Sequence, residues 1–411
     1  MGREPARPAD RAGAGMSILF LGHRIPFPPD RGDKIRSFHL LKALAALGEV
    51  HLACFADDAA DAAHLAGLRA ELGWALGEVH VEVRRRSRIS ALASALADGT
   101  PVSVEMFAST AMQRAVDGIV SARRIDTIFG FSSQMAQYVP HDWQGRFVMD
   151  FVDVDSAKFA GYADAGGFAS RLYRREAAKL LSIECQTASR ADASLFVSEA
   201  EASLFRELSG AKAAQALPNG VDLDHFAPDD PAEPVPGMIL FTGQMDYRPN
   251  VEAVTAFARV ALPRIRSRMP SAHFVIAGRN PDPSVRALAG EGVTVTGAVA
   301  DMREWLRQAE VVVAPLGIAR GVQNKVLEAM AMGRAVVASP AAFEGIDAEA
   351  GRDLIVAADP AEAVIALLTD PNRRDALGRA ARRAVEARYH WDSCLAPLAE
   401  LVGRAPALAA A

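Results

Sequence analysis

Short apolar runs alternate with amphipathic stretches along most of this chain. The run 311–314 is β-branched and uncharged, which is typical of a strand that is covered on both faces in a parallel sheet. A glycine-containing loop, an apolar helix over about 324–332 and a second apolar run that ends at Ser339 follow it. This order predicts one βαβ unit, and we interpret the rest of the chain around it.

The same alternation continues on both sides of this unit. We predict further strands at 18–23, 50–55, 126–131, 146–151, 193–198, 238–243, 273–278 and 293–297. The predicted helices begin near Lys34 and cover 170–187, 251–268, 284–288, 302–308 and 375–389. Strands and helices in this order form doubly wound parallel sheets, so the expected fold class is α/β with Rossmann-like domains.

The length of the chain sets the expected number of domains. A chain of 411 residues is too long for one ordinary core and predicts two domains of ~200 residues each. The proline-rich stretch that follows the Asn219-Gly220 turn favours a boundary nearby. We expect a disordered extension at 1–15, an N-terminal domain at 16–217, a C-terminal domain at 218–385 and a last helical segment at 386–411.

Charge and cysteine content argue against several classes of protein. A formal net charge of −5 argues against a general nucleic-acid binder, which would carry a basic surplus. Cys54, Cys185 and Cys394 lie far apart and outside any CxxC or Cys/His cluster, so neither a disulfide framework nor a zinc site is indicated. We expect a cytoplasmic protein. No apolar run approaches the ~18–20 residues that cross a bilayer, so any membrane contact should be peripheral, at the inner face of the cytoplasmic membrane.

Glu328 lies in the middle of the apolar helix of the central unit. A carboxylate there must be paired or hydrogen-bonded, since an unpaired buried charge is strongly destabilising. One interpretation is an i,i+3 pair with Lys325. The other is that Glu328 accepts hydrogen bonds from the two hydroxyls of a ribose. Arg320, Lys325 and the free N–H groups of the helix start, after the turn at Gly321, would then hold phosphates.

Three predicted strands of the second half end in glycine, at Gly243, Gly278 and Gly297. A glycine at the carboxyl end of a parallel strand lets a ligand approach the backbone closely. Three of them on one sheet, beside the central unit, favour a binding site.

The loop after the first strand is basic. It lies at the carboxyl end of that strand, where open α/β sheets bind ligands. A phosphate or acceptor contact and a solvated basic loop are equally compatible with this pattern, and we expect Asp33 to cap the following helix. The loop and the start of its helix contain Arg24, Arg31, Gly32, Asp33, Lys34 and Arg36.

Asp153 and Asp155 follow the predicted strand 146–151. Three interpretations compete: a DxD site for a divalent metal ion, a loop that points a carboxylate into a cleft between domains, and simple capping of the next helix.

A separate cluster of Arg84, Arg85, Arg86 and Arg88 precedes a short apolar helix. It fits either a solvated basic face or docking on anionic lipid at about 1 kcal/mol per charge.

The segment APLGIARGVQNKVLEAMAMGRAVVAS resembles the donor-binding segment of family-four retaining glycosyltransferases. These enzymes have the GT-B fold, with two Rossmann-like domains facing a cleft, and two Glu eight positions apart. Glu328 matches the second Glu, for which the resemblance implies ribose binding, and Arg320 occupies the place of the first. The donor contacts that the resemblance and the pattern together indicate are Gly243, Arg248, Gly297, Val299, Gly321, Val322, Gln323 and Glu328.

The resemblance also covers the first half of the chain. SEAEASLF followed by PNGVDLDHFAP is similar to the crossover between the two domains, and 386–411 is similar to the segment that returns to the first domain. The family has a His-Asp pair after the strand 146–151, whereas this chain has no His there and has Asp153 or Asp155 nearby. The candidate catalytic residues are therefore Asp153, Asp155, Arg320 and Lys325, and the candidate acceptor or phosphate loop is Gly32, Asp33, Lys34 and Arg36.

MSILFLGHRIPFPPDRGDKIRSFHLL and ARGVQNKVLEAMAMG are similar to the sugar transferases found with exosortase (PEP-CTERM) exopolysaccharide loci. The expected reaction transfers a sugar, with retention, from a nucleotide diphosphate sugar to a glycan or polyprenyl-linked acceptor, without a metal ion or other cofactor. The two alternatives are a nucleotide-sugar epimerase of the same fold and a non-catalytic nucleotide-sugar-binding subunit.

Overall fold

The computed structural model describes residues 16–167, 169–228, 234–319 and 322–403. Two compact units make up the chain: Met1–Leu217 with Leu395–Ala411, and Pro218–Cys394. The chain therefore rejoins the first unit at Leu395, later than the position 386 expected from the sequence. The predicted extension at 1–15 lies outside the described residues.

A seven-stranded parallel sheet forms the centre of the first unit, in the order β3-β2-β1-β4-β5-β6-β7. Its strands are β1 Met16–Gly22, β2 Gly48–Ala56, β3 Leu76–Val83, β4 Thr127–Phe131, β5 Arg146–Val152, β6 Ala193–Phe196 and β7 Ala214–Ala216. Its helices are α1 Gly32–Leu47, α2 Ala59–Ala63, α3 Leu65–Leu72, α4 Arg88–Asp98, α5 Val102–Glu105, α6 Thr110–Ala122, α7 Asp155–Asp164, α8 Ser170–Arg190 and α9 Glu199–Ser209. The central strands are fully buried because helices cover both faces.

A six-stranded parallel sheet forms the centre of the second unit, in the order β10-β9-β8-β11-β12-β13. Its strands are β8 Met238–Thr242, β9 His273–Ala277, β10 Val293–Gly297, β11 Val311–Ala314, β12 Ala335–Ala338 and β13 Ile355–Val356. Its helices are α10 Arg248–Ala256, α11 Leu262–Arg268, α12 Pro283–Arg286, α13 Met302–Gln308, α14 Asn324–Ala331, α15 Pro340–Phe343, α16 Ala361–Thr369 and α17 Pro371–Arg388. The short helices α18 Trp391–Leu395 and α19 Leu398–Leu401 follow.

The predicted helix at 251–268 contains an irregular turn. A π-helical turn over Phe257–Ala261 joins α10 to α11. Pro263 lacks an amide hydrogen and would clash with the carbonyl four residues earlier, so the helix widens just before it.

Each sheet has one position at which the chain reverses its direction across the sheet. In the first unit it lies between β1 and β4, and in the second between β8 and β11. In open α/β sheets, ligands bind beyond the carboxyl ends of the strands at this position. Among the described residues, no helix is both long and apolar enough to cross a membrane.

Candidate active site

The central βαβ unit predicted from the sequence is confirmed. β11 is fully buried and pairs in parallel with β8 on one side and β12 on the other. Its carboxyl end therefore lies at the reversal point of the second sheet, and α14 starts a few residues later. Arg320 and Gly321, in the connecting loop, lie outside the described residues.

Three glycines at the carboxyl ends of β8, β9 and β10 form a row. The Gly278 amide donates to the Gly297 carbonyl and the Gly243 amide to the Ala277 carbonyl, each at 3.1 Å. A Cβ on Gly278 would lie 1.6 Å from the Gly243 carbonyl oxygen, so no side chain fits there. A Cβ on Gly297 would meet no atom within 4 Å. The space beside Gly297 is thus open to a ligand.

Lys325, in the first turn of α14, extends to this glycine row. Its Nζ donates to Asn250 Oδ1 at 2.7 Å and lies 4.9 Å from the centre of the Phe241 ring. A Cβ on Gly243 would lie 3.5 Å from Lys325 Cε. Burial lowers the pKa of Lys325 to about 8, and the negative charge of Glu328 opposes this change. A cation beside exposed glycine backbone is a suitable arrangement for a diphosphate.

Glu328 lies one turn further along α14, and its side chain is partly exposed. Within the described part of the chain, its carboxylate has no hydrogen bond or ion pair. The i,i+3 ion pair with Lys325 is not formed there, because the lysine amine binds Asn250 instead. Burial raises the pKa of Glu328 to about 7, while the charge of Lys325 acts in the opposite direction. A carboxylate that is partly exposed and has no hydrogen bond or ion pair in the described part of the chain is available to a ligand.

The other predicted donor contacts differ in their exposure. Gln323 is the N-cap of α14 and makes no side-chain cap bond, so the first amides of the helix are not capped by a side chain. Val322 is buried, and Val299 lies in the loop between β10 and α13. Arg248 forms an exposed ion pair with Glu252 at 2.7 Å.

In the first unit, the end of β5 is strained. Val152 has a φ of 70°, which is rare for a β-branched residue and costs about 1–3 kcal/mol. Asp153 follows it, partly exposed, with Oδ1 buried and without a partner among the described residues. Burial, together with the charges of Glu201 and Asp155, raises the pKa of Asp153 to about 7. Such strain and such a pKa are typical of functional sites.

Helix α7 is not capped by Asp153 or Asp155. Its N-cap is Val154, and the Val154 amide donates to Glu201 Oε2 at 2.7 Å. The Ser156 amide donates to Glu184 Oε1 at 3.1 Å, so two distant carboxylates serve the helix start. Asp155 lies in the first turn of the helix, where it accepts a long hydrogen bond of 3.4 Å from Ser133 Oγ. No group of three His, Cys, Asp or Glu in the described ranges is arranged to hold a metal ion.

The basic loop after β1 is largely neutralised within the first unit. Asp33 is not the N-cap of α1, as the sequence predicted, because the helix starts at Gly32 and Arg31 is the N-cap. The Asp33 carboxylate binds Arg24 at 2.7 Å and His23 at 3.3 Å instead. Burial acts to raise the pKa of Asp33, but the hydrogen bond from His23 and the arginine charges outweigh it and hold the pKa well below its usual range.

Lys34 and Arg36 have partners inside the first unit, which differs from their predicted contact with an acceptor or phosphate. Lys34 is 3% exposed and its Nζ donates to Asp61 at 2.5 Å. Arg36 is 0% exposed; its Nε donates to Asp150 at 2.8 Å, and a terminal nitrogen donates to the Leu217 carbonyl at 2.8 Å. The ion pair fixes α1 to β5, and the second hydrogen bond fixes α1 to Leu217, where the chain leaves the first unit.

The Arg84–Arg88 cluster is also partly bound within the protein. Arg84 pairs with Asp57 at 3.1 Å, and Arg86 pairs with Glu105 at 2.8 Å. Arg85 is exposed, and the side chain of Arg88 is outside the described part of the chain.

Sequence reasoning missed Asn250, Glu184 and Glu201. Asn250 is 4% exposed and joins Lys325 to the Gln244 carbonyl. Polar residues on amphipathic helices usually face solvent, so the pattern gave no reason to expect these three side chains inside the protein. The one available clue was the SEAEASLF motif, which contains Glu201.

Residues 236–370 match the family described as "Glycosyl transferases group 1". This range contains the glycine row, Lys325 and Glu328. The GDP-mannose-dependent alpha-(1-6)-phosphatidylinositol monomannoside mannosyltransferase of Mycobacterium tuberculosis is 32% identical over 242 residues, which cover 51% of this chain and 61% of that protein. The chain spans about half to three fifths of the length of the curated mannosyltransferases that it matches.

Solved structures resemble the chain over most of its length. Sucrose-phosphate synthase of Thermosynechococcus elongatus has a TM-score of 0.67 at 19% identity, covering 94% of this chain and 98% of that one. Anabaena HepE, solved in complex with UDP-glucose, has a TM-score of 0.66 at 15% identity, again covering 94% and 98%. The chain has the GT-B fold.

Proposed function

We propose that this protein is a glycosyltransferase that binds a nucleotide diphosphate sugar on its second unit and transfers the sugar to an acceptor hydroxyl. The observation that carries the proposal is Glu328. Its carboxylate is partly exposed, has no hydrogen bond or ion pair among the described residues, and stands on the same helix as Lys325, whose side chain reaches the strand-terminal Gly243. Two ribose hydroxyls would satisfy this carboxylate with charge-assisted hydrogen bonds.

The donor diphosphate would lie at the start of α14. The first-turn amides and the dipole of the helix favour an anion there, and Lys325 adds a positive charge beside the glycine row. Arg320, in the same loop, would stabilise the bridging oxygen as the glycosidic bond breaks. The proposed binding of a nucleotide sugar is supported by the match over 236–370 and by the UDP-glucose that HepE binds.

The acceptor would meet the first unit, at the carboxyl end of β5. Asp153 is the candidate there because its pKa of about 7 lets it exchange a proton with a hydroxyl near neutral pH. Retention of configuration, a hexose as the transferred sugar, a polyprenyl-linked or glycan acceptor and a role in exosortase-associated exopolysaccharide synthesis follow from the sequence resemblance. They are parts of the proposal, and NMR of the product anomer would test the first of them.

We include a peripheral membrane contact on the cytoplasmic side in the proposal. Helix α4 exposes Ile89 (83%) and Leu96 (58%), and Arg85 is exposed just before it. Co-sedimentation with anionic vesicles should weaken in Ile89→Glu and stay unchanged in Val260→Glu, whose apolar side chain is 62% exposed on the second unit. Equal binding by both variants would remove α4 from the proposal.

The decisive experiment is a screen of nucleotide sugars for thermal stabilisation, with UDP-glucose and GDP-mannose first. A ligand at ~100 times its dissociation constant should add about 2.7 kcal/mol to the free energy of unfolding. Hits are then assayed with and without a polyprenyl-linked acceptor. Conversion of the donor sugar without acceptor would favour the epimerase, and binding without turnover would favour the non-catalytic subunit. No stabilisation by any nucleotide sugar would refute the proposal.

A further inference from the structure

The start of helix α7 is held by two side chains that come from other helices. Glu201, on α9, is 5% exposed and accepts a hydrogen bond from the Val154 amide at 2.7 Å. Glu184, on α8, is 1% exposed and accepts from the Ser156 amide at 3.1 Å and the Ser156 hydroxyl at 2.5 Å. Side chains within the same helix normally perform this capping. Here the first turn is capped from outside.

This arrangement has a consequence for Asp153. An Asp directly before a helix commonly caps it, and a capping carboxylate would be turned toward the helix amides. Glu184 already bonds the Ser156 amide and Glu201 the Val154 amide, so both hydrogen bonds at the helix start go to other helices and Asp153 makes neither. Its Oδ1 is left without a partner among the described residues, immediately after the strained Val152.

We propose that Glu201 is a positioning residue for Asp153: its carboxylate fixes the Val154 backbone and thereby leaves the Asp153 carboxyl group available to an acceptor hydroxyl. The assignment to an acceptor hydroxyl rests on the proposed function, whereas the positioning of Asp153 does not. Glu201 acts through the backbone and through its charge, and it does not touch substrate.

The charge of Glu201 should also control the proton affinity of Asp153. Burial raises the pKa of Asp153, and the negative charges of Glu201 (α9) and Asp155 (α7) raise it further. The positive charges of Lys158 (α7) and Arg36 (α1) lower it. Removing the charge of Glu201 must therefore lower the pKa of Asp153, and removing the charge of Lys158 must raise it.

Glu201→Gln separates the two effects. The amide oxygen of Gln can still accept from the Val154 amide, but the negative charge is gone. We expect the acid dissociation constant of Asp153 to increase roughly threefold or more. Lys158→Met should change it in the opposite direction. The titration is followed by NMR with ¹³Cγ-labelled aspartate, and Asp153→Asn identifies the resonance.

Glu184→Gln is the matched control. It makes the same substitution at the same helix turn, but Glu184 is not among the charges that act most strongly on Asp153. An equal shift in Glu184→Gln and Glu201→Gln, or no shift in Glu201→Gln, would overturn the proposal. The NMR measurement needs no turnover, so it tests the positioning role even where the wild-type protein transfers no sugar.

Turnover provides the second measurement. Glu201→Ala removes both the hydrogen bond and the charge, and we expect kcat to fall about tenfold or more with donor affinity unchanged. Glu201→Gln should recover most of this rate, with the acidic limb of the pH–rate profile moved to lower pH. Loss of donor affinity in Glu201→Ala, or failure of Gln to recover any rate in a folded protein, would contradict the positioning role.

Discussion

The change Glu328→Gln tests the candidate donor site most directly. It preserves the size of the side chain, removes its negative charge and turns one acceptor oxygen into a donor. In the proposed complex two ribose hydroxyls donate to this carboxylate, so the variant loses one hydrogen bond and weakens the other. We expect nucleotide binding to weaken by about 1–3 kcal/mol, which is ~5- to ~150-fold in dissociation constant.

The pH dependence of nucleotide binding provides a second test of the role of Glu328. Burial raises the pKa of Glu328 to about 7, and only the ionised form accepts both hydroxyls. Affinity should therefore rise with pH through about 7. Burial lowers the pKa of Lys325 to about 8, so affinity should fall again above about 8, as the amine loses the charge that attracts the diphosphate. Because the two groups interact, the two limbs report the pair.

In Glu328→Gln the acidic limb should disappear. The alkaline limb should persist and move to lower pH, because the charge of Glu328 normally raises the pKa of Lys325. Calorimetry with ribo- and 2′-deoxyribonucleoside diphosphate sugars of uridine and guanosine, whose diphosphates do not titrate between about pH 6 and about pH 9, measures both effects. The variant should also discriminate less between ribose and deoxyribose.

Glu291→Gln is the matched control for this experiment, because Glu291 lies in the same unit and its side chain is 90% exposed. It should bind like the wild-type protein at every pH. Should Glu328→Gln bind ribo- and deoxyribonucleotides with wild-type affinities, Glu328 would be only a charge partner of Lys325 and the ribose assignment would be refuted.

Three further predictions address the other groups. Activity should survive EDTA, because cations and helix amides are available for the diphosphate; a complete loss that manganese or magnesium restores would favour the DxD interpretation instead. Arg320→Ala should lower kcat about 10²–10³-fold, more than it lowers donor affinity, and a kcat within about threefold of wild type would exclude a catalytic role. Arg36→Met should destabilise folding by about 3–5 kcal/mol in urea titrations, since it leaves Asp150 buried without its partner; unchanged stability would contradict a structural role.

Most of the architecture could be predicted from the sequence because the signals are local. The parallel strands β8, β9 and β11 are short apolar runs, and each lies where the pattern places it. The two helices that differ most show why boundaries are harder. The helix predicted at 251–268 contains a π-helical turn because Pro263 cannot donate a backbone hydrogen bond. The helix predicted from 375 begins earlier, at Pro371, because Asp370 caps it.

The candidate site in the second unit could be predicted in part, because some of its residues are also close together in sequence. Lys325 and Glu328 lie three residues apart on one helix, and the glycines mark strand ends. Asn250, by contrast, comes from a helix far away in sequence, and nothing in its neighbourhood shows that it faces Lys325. Arg36 was assigned to the acceptor or phosphate loop because it follows a basic loop, and its partner Asp150 could not be expected because it lies in a largely apolar strand.

Arg320 stands where the family pattern has a carboxylate, and this difference bears on the proposed chemistry. Unlike a carboxylate, an arginine cannot accept hydrogen bonds from sugar hydroxyls or stabilise a positive charge on the sugar ring. Positive charge at this position would instead favour departure of the diphosphate. Under the proposed function, Asp153 is the carboxyl group that we assign to the acceptor hydroxyl. Its Oδ1 has no partner among the described residues, while Glu201 holds the amide of the next residue, Val154.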